Sequence, residues 1–123
     1  MQVRAVMNTQ VRVVAEDMEV RQALKRMKKN NTGLFIVKDD HHVGGILSSR
    51  DVLELQEINK GRLNTLKVRD LMNRNVQFVY EDQSVHSIRA IMKEKKLNYL
   101  VVLNRKNKIT GFCTRSSVGL NAE

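Results

Sequence analysis

Hydrophobic positions along the chain change rhythm in a fixed order, and that order occurs twice. Val11-Arg12-Val13-Val14 and Val76-Gln77-Phe78-Val79 are short segments rich in β-branched and aromatic residues, as strands are. An apolar stripe at helical spacing follows each of them. Val20, Ala23, Leu24 and Met27 fall at i, i+3, i+4 and i+7, and Val85, Ile88, Ile91 and Met92 trace a similar line, so each predicts an amphipathic helix with one buried face. Ser84 is placed to cap the second of these helices. Next come the apolar runs Leu34-Phe35-Ile36-Val37 and Tyr99-Leu100-Val101-Val102, short and bulky enough for buried strands. Asp39-Asp40-His41-His42 and Asn104-Arg105-Lys106-Asn107-Lys108 then read as hairpin turns. A third strand, Val43 to Leu47 or Ile109 to Cys113, leads into a second helix starting near Ser48 or Thr114. The predicted order is β-α-β-β-α, twice.

The two halves are copies of one another. Laying Val3–His42 over Val68–Asn107 gives identities at Val3, Arg4, Met7, Asn8, Val11, Val14, Glu16, Asp17, Val20, Met27, Lys28 and Val37. These 12 matches in 40 positions compare with about two or three from background composition. One inserted residue later, Gly45 aligns with Gly111, Ser48 with Thr114 and Val52 with Val118. Asn59-Lys60-Gly61 reads as a helix end followed by a linker, which divides the chain into repeats at 1–60 and 61–123. Units of about 60 residues bury too little surface to be comfortable alone, so the repeats are expected to form one integrated module. The fold class is α+β, two βαββα repeats packed as a pseudo-twofold pair.

Composition narrows the function classes. Across 123 residues, 41% hydrophobic and 28% charged content is that of an ordinary globular protein. No apolar run approaches the roughly 20 residues that span a bilayer, and the opening Met1-Gln2-Val3-Arg4-Ala5-Val6-Met7 lacks the features of a secretory signal. A cytoplasmic address away from membranes is therefore expected. A formal charge of +9 favours anionic partners, which include phosphate-bearing small molecules, nucleic acid and acidic proteins. With three Phe, two Tyr and no Trp, the chain has few platforms for stacking single-stranded bases.

These features together resemble the cystathionine β-synthase (CBS) domain family, in the tandem arrangement called a Bateman module. The resemblance rests on Val3-Arg4-Ala5-Val6-Met7 and Val68-Arg69-Asp70-Leu71-Met72 as lead-ins, the helices near Val20 and Val85, the apolar second strands, and Gly45-Ile46-Leu47-Ser48-Ser49-Arg50-Asp51-Val52. It implies a regulatory, non-catalytic module, often a homodimer, that takes an adenosine compound such as AMP, ADP, ATP or S-adenosylmethionine in the cleft between repeats. Signalling to an unidentified target protein would follow by conformational change.

The implied ligand contacts are uneven between the copies. In the first, Ser48 and Arg50 would lie near phosphate and Asp51 on the ribose hydroxyls. In the second, Thr114-Arg115-Ser116-Ser117 keeps the hydroxyl but has Ser117 where the acid should stand. A carboxylate accepts two charge-assisted hydrogen bonds from a diol and a serine does not, so the Asp51 site is expected to be the better one. By the same resemblance, adenine would slide between Val11, Arg12 and Val13 and the start of the second strand at Leu34. Phosphate contacts would come from Asn98, Tyr99, Thr114, Arg115 or Ser116.

Each of these residues also has a plainer reading. Ser48-x-x-Asp51 is a capping box in its own right. His41-His42 is a solvated turn, because adjacent side chains point apart and no Cys or His cluster accompanies them. Cys113 stands where Leu47 stands in the first copy and reads as buried packing. Lys25-Arg26-Lys28-Lys29 and Lys93-Lys95-Lys96 read as solvated helix ends that complement the helix dipole. No nucleophile with its base and no metal cluster stands out, so neither an enzyme nor a catalytic cofactor is expected. Two alternatives to the regulatory module stay open: a basic nucleic-acid or polyanion-binding protein, and a ligand-free dimerisation module.

Overall fold

The computed structural model describes residues 1–30, 33–39, 42–52 and 65–120. Their order is a 3-10 turn (Val3–Ala5), β1 (Val13–Ala15), α1 (Val20–Asn30), β2 (Leu34–Asp39) and β3 (His42–Ser48). The start of α2 follows at 49–52, then α3 (Val68–Leu71), β4 (Phe78–Tyr80), α4 (Val85–Glu94), β5 (Tyr99–Leu103), β6 (Ile109–Thr114) and a second 3-10 turn (Ser116–Val118). The predicted linker at Asn59-Lys60-Gly61, and with it the 60/61 boundary, lies outside the described residues, as does His41.

Two three-stranded sheets result, β1-β2-β3 and β4-β5-β6. In each, the first pair is parallel because a helix crosses between the strands, and the second is an antiparallel hairpin. The register slips at the same place in both hairpins, between Val37 and Lys38 and between Val102 and Leu103. The first strands start two residues later than the apolar pattern predicts. Val11 and Arg12 precede β1, although the Arg12 carbonyl still accepts from the Ile36 N–H at 2.8 Å.

The chain forms two compact units. One is Arg12–Asn75; the other joins Met1–Val11 to Val76–Glu123. Each sheet therefore carries the lead-in that belongs, by sequence, to the other repeat. In the first unit Asn73 and Ile46 exchange backbone hydrogen bonds at 2.8 and 2.9 Å, and in the second Asn8 and Phe112 do the same at 2.8 and 2.9 Å. The lead-ins reach the strands because glycine lies beneath them. A Cβ on Gly45 would stand 2.6 Å from the Asn73 carbonyl oxygen, and one on Gly111 would stand 2.6 Å from that of Asn8.

Packing follows the alternation of the strands. Phe35 and Val37 of β2 join Val14, Val20, Ala23, Met27, Leu47, Val52, Val68 and Met72 in one core. Leu100 and Val102 of β5 join Val3, Val79, Val85, Ile88, Met92, Cys113 and Val118 in the other. Leu34, Ile36 and Ile46, on the opposite face of their sheet, are buried as well, as are Val101 and Phe112 on theirs. Ser84 caps α4 as predicted, its Oγ accepting from the Ser87 N–H at 3.1 Å.

Candidate functional site

β3 runs straight into α2, and the residue at the junction is Ser48. Its side chain is fully buried, the sole buried polar one among the described residues, and its Oγ accepts from the Asp51 N–H at 3.1 Å. The hydroxyl half of the capping box is thus realised. Among the described residues the Asp51 carboxylate, half-buried, accepts no hydrogen bond and joins no ion pair. Arg50 is exposed beside it. Leu34 pairs with Ser48 across the hairpin and shares its face of the sheet, and the Ser49 N–H donates to the Gly33 carbonyl at 2.8 Å. Arg12 and Val13, at the start of the neighbouring strand, complete this end of the sheet.

The matching end of the second sheet is built differently. Tyr99 pairs with Thr114 as Leu34 pairs with Ser48. Among the described residues no second helix follows: the chain makes the 3-10 turn Ser116–Val118, which ends at Gly119, whose φ of 81° is left-handed. The hydroxyls here bond to each other. The Thr114 N–H donates to Ser117 Oγ at 3.1 Å and the Ser117 N–H to Thr114 Oγ1 at 3.2 Å, while Thr114 Oγ1 lies 2.9 Å from Ser117 Oγ and 3.0 Å from Ser116 Oγ. Arg115 turns back to donate from Nη1 to the Leu97 carbonyl at 3.0 Å, which is a structural use of a side chain expected to face an anion. Asn98 is exposed at the foot of β5.

The expected contact residues thus divide between the units. Arg12, Val13, Leu34, Ser48, Arg50 and Asp51 belong to the first; Val11, Asn98, Tyr99, Thr114, Arg115 and Ser116 belong to the second. Apart from Val11, which directly precedes Arg12, each set gathers at one end of its own sheet.

Sequence reasoning missed a pocket at the opposite end of β1. It has a volume of about 520 Å³ and is lined by Val13, Val14, Ala15, Glu16, Asp17, Lys38 and Arg69. In the second copy, where Tyr80 stands at the position of Ala15, Arg105 lies 4.2 Å from the centre of the Tyr80 ring and makes two hydrogen bonds of 2.9 Å to Asp82. Those bonds hold the Asp82 carboxyl below its ordinary range. Ala15 in place of Tyr80 was the available signal, since a methyl group cannot fill that space.

Cys113 sits in the core of its unit, and burial pushes its thiol pKa up to about 11. Native protein is expected to stay unmodified by a disulfide reagent at mildly alkaline pH and to react stoichiometrically once unfolded. Rapid labelling of the native chain in a thiol-release assay would contradict this placement. His42 is exposed at the start of β3, and among the described residues no three side chains are grouped to hold a metal ion. No helix among them is long and apolar enough to cross a membrane.

Two β-α-β-β units, each ending its third strand in a hydroxyl-led turn, make this an internally duplicated α+β protein. The family model described as CBS domain matches residues 3–57 and again 68–118, and the chain belongs to that family. Among curated proteins it is similar to the carnitine transport ATP-binding protein OpuCA of Listeria monocytogenes, 25% identical over 95% of this chain and 28% of the relative. It is also similar to an uncharacterized protein of Methanocaldococcus jannaschii, 29% identical over 74% of this chain and 29% of the relative. The chain therefore spans under a third of the length of these relatives. Among solved structures, a conserved CBS domain protein of Thermoplasma acidophilum superimposes with a TM-score of 0.80 at 24% identity, covering 96% of this chain and 67% of the other. CBSX2, solved in complex with AMP, superimposes with a TM-score of 0.71 at 25% identity, covering 95% and 92%. CBS domain proteins are typically regulatory modules rather than catalysts.

Proposed function

We propose that this chain is a regulatory module that binds an adenosine-containing ligand, of the class AMP, ADP, ATP or S-adenosylmethionine. Asp51 takes the ribose hydroxyls, Ser48 and Arg50 lie toward phosphate, and occupancy is relayed to a partner by a change in conformation. The observation that carries this reading is the contrast between the two motifs. The Asp51 carboxylate, at the start of α2, has no partner among the described residues, whereas Thr114, Ser116 and Ser117 spend their hydroxyls on one another. The similarity to CBSX2, a protein solved with AMP, supports the choice of ligand class. A ligand shifts such a module only as far as it prefers one arrangement over another, so binding and signalling share one free energy.

Calorimetric titration with AMP, ATP and S-adenosylmethionine tests the assignment. Asp51→Ala is expected to weaken binding by roughly 10- to 100-fold, the loss of one or two charge-assisted hydrogen bonds. Ser117→Ala is expected to leave affinity unchanged. Equal effects of the two substitutions, or no heat with any of the three compounds, would remove Asp51 from the site.

A further inference from the structure

The two copies build the same amphipathic helix but load its outer face differently. In α1, Val20, Ala23 and Met27 are buried while Arg21, Lys25, Arg26, Lys28 and Lys29 are exposed. The corresponding residues of α4 are His86, Ala90, Ile91, Lys93 and Glu94, a set with one permanent cation and one carboxylate. Both helices meet the same packing requirement, so the extra cations of α1 exceed what the fold asks for. Lys28 and Lys29, in the last turn, complement the dipole, but the rest of the pattern opposes the helix that carries it. Arg21 lies in the first turn, which has no acidic residue to set against the positive end of the dipole. Arg21 and Lys25, then Lys25 and Lys29, stack like charges at i, i+4, and Lys25 and Lys28 do so at i, i+3.

Among the described residues little relieves this. Arg21 reaches Glu19 at 3.5 Å, but Lys25, Arg26, Lys28 and Lys29 form no ion pair with any described residue. On the second copy, by contrast, Arg89 donates to the Val118 carbonyl at 2.8 Å and Lys95 to Gln77 at 3.0 Å. A run of like charges that is present on one copy only and exposed along the helix is accounted for by an external polyanion.

We propose that the exposed face of α1 docks on the phosphate backbone of double-stranded nucleic acid, without regard to sequence. From Arg21 to Lys29 the helix advances about 12 Å, and a duplex presents one phosphate charge per about 1.7 Å of its axis, so several cations meet phosphates at once. The chain's formal charge of +9 has the complementary sign. Single strands are disfavoured because they are held by stacking on aromatic side chains, and α1 has none. Lipid is disfavoured because interfacial helices insert their apolar face, and that of α1 is already buried in its core. The proposal uses no residue of the Asp51 site and stands apart from the adenosine reading.

Fluorescence anisotropy of a short labelled duplex with the intact chain, over a KCl series, tests it. The log of the affinity is expected to fall linearly with the log of salt, with a slope near −4, as about four or five phosphate contacts require. The variant K25Q/R26Q/K28Q/K29Q is expected to lose about three units of that slope and at least about tenfold in affinity at low salt. Its thermal midpoint should be little changed, because relief of repulsion within α1 offsets the dipole interaction lost with Lys28 and Lys29. K93Q/K95Q/K96Q/K106Q, with the same change in net charge, should keep the wild-type slope. Three results would overturn the proposal: no duplex binding at low salt, equal losses in both variants, or cosedimentation with phosphatidylserine vesicles that the duplex cannot compete away.

Discussion

Alanine at Gly45 is expected to cost about 2–4 kcal/mol of folding stability, far more than a single methyl group on a strand would suggest. The added Cβ would lie 2.6 Å from the Asn73 carbonyl oxygen and 3.1 Å from both Cγ and Sδ of Met72. A methionine tip can rotate away, but a backbone oxygen cannot. This one also accepts from the Ile46 N–H at 2.9 Å, so relief of the clash withdraws the lead-in and breaks the reciprocal bridge. Val68 and Met72, which the lead-in contributes to the core, loosen with it. Gly111 faces Asn8 at the same 2.6 Å, with Met7 Sδ at 2.9 Å, so Gly111→Ala should carry a similar loss. Gly33→Ala is the control. Its Cβ would meet nothing nearer than Ser49 Oγ at 3.5 Å, an ordinary contact, and its effect should stay within about 0.5 kcal/mol. Urea denaturation of the three variants decides the matter, and a Gly45→Ala protein as stable as Gly33→Ala would show that close approach does not hold the lead-in.

Phe35→Ala is expected to cost about 3–5 kcal/mol, the range for emptying a buried aromatic site. Phe35 is 1% exposed, among Val14, Val20, Ala23, Met27, Leu47 and Val68. Small domains hold only about 5–15 kcal/mol in all, so this one change removes a large share. It should also reach the Asp51 site. Leu47, the partner of Phe35 across the hairpin, precedes Ser48, and the fully buried Val52 anchors the start of α2 in the same core. Phe35→Leu, which installs the residue that the second copy has at Leu100, is expected to cost under about 1.5 kcal/mol and to keep ligand affinity. Thermal unfolding together with nucleotide titration measures both effects. Unchanged ligand affinity in Phe35→Ala, under conditions where the variant is still folded, would show that the site does not depend on the packing beneath it.

Much of this architecture was legible from periodicity. Helix and strand spacings differ: Val20, Ala23 and Met27 ended on the buried face their spacing predicts, and the apolar run Leu34–Val37 is buried throughout, as its bulk predicts. Ser84 was readable as a cap because its hydroxyl acts within one turn of chain. The turn at Asn104–Lys108 was legible for the same reason: Asn104 Oδ1 accepts from the Lys106 and Lys108 N–H groups at 2.9 and 3.0 Å. The short second turn at Ser116–Val118 was misread as a helix start, although Gly119 stood in view as a left-handed stop.

By itself, then, the sequence determined the repeated β-α-β-β order, the buried faces of α1 and α4 and the substitution of Ser117 for an acid, because all of these follow from local spacing and residue chemistry. Tertiary structure alone decided which sheet receives which lead-in. Val3-Arg4 through Met7-Asn8 and Val68-Arg69 through Met72-Asn73 are nearly the same peptide, and the bridges they make use backbone N–H and C=O groups that every residue carries. Nothing in either segment distinguishes its own strand from the other's. The choice also rests on contacts far apart in sequence, such as Asn8 with Phe112, which no local pattern encodes.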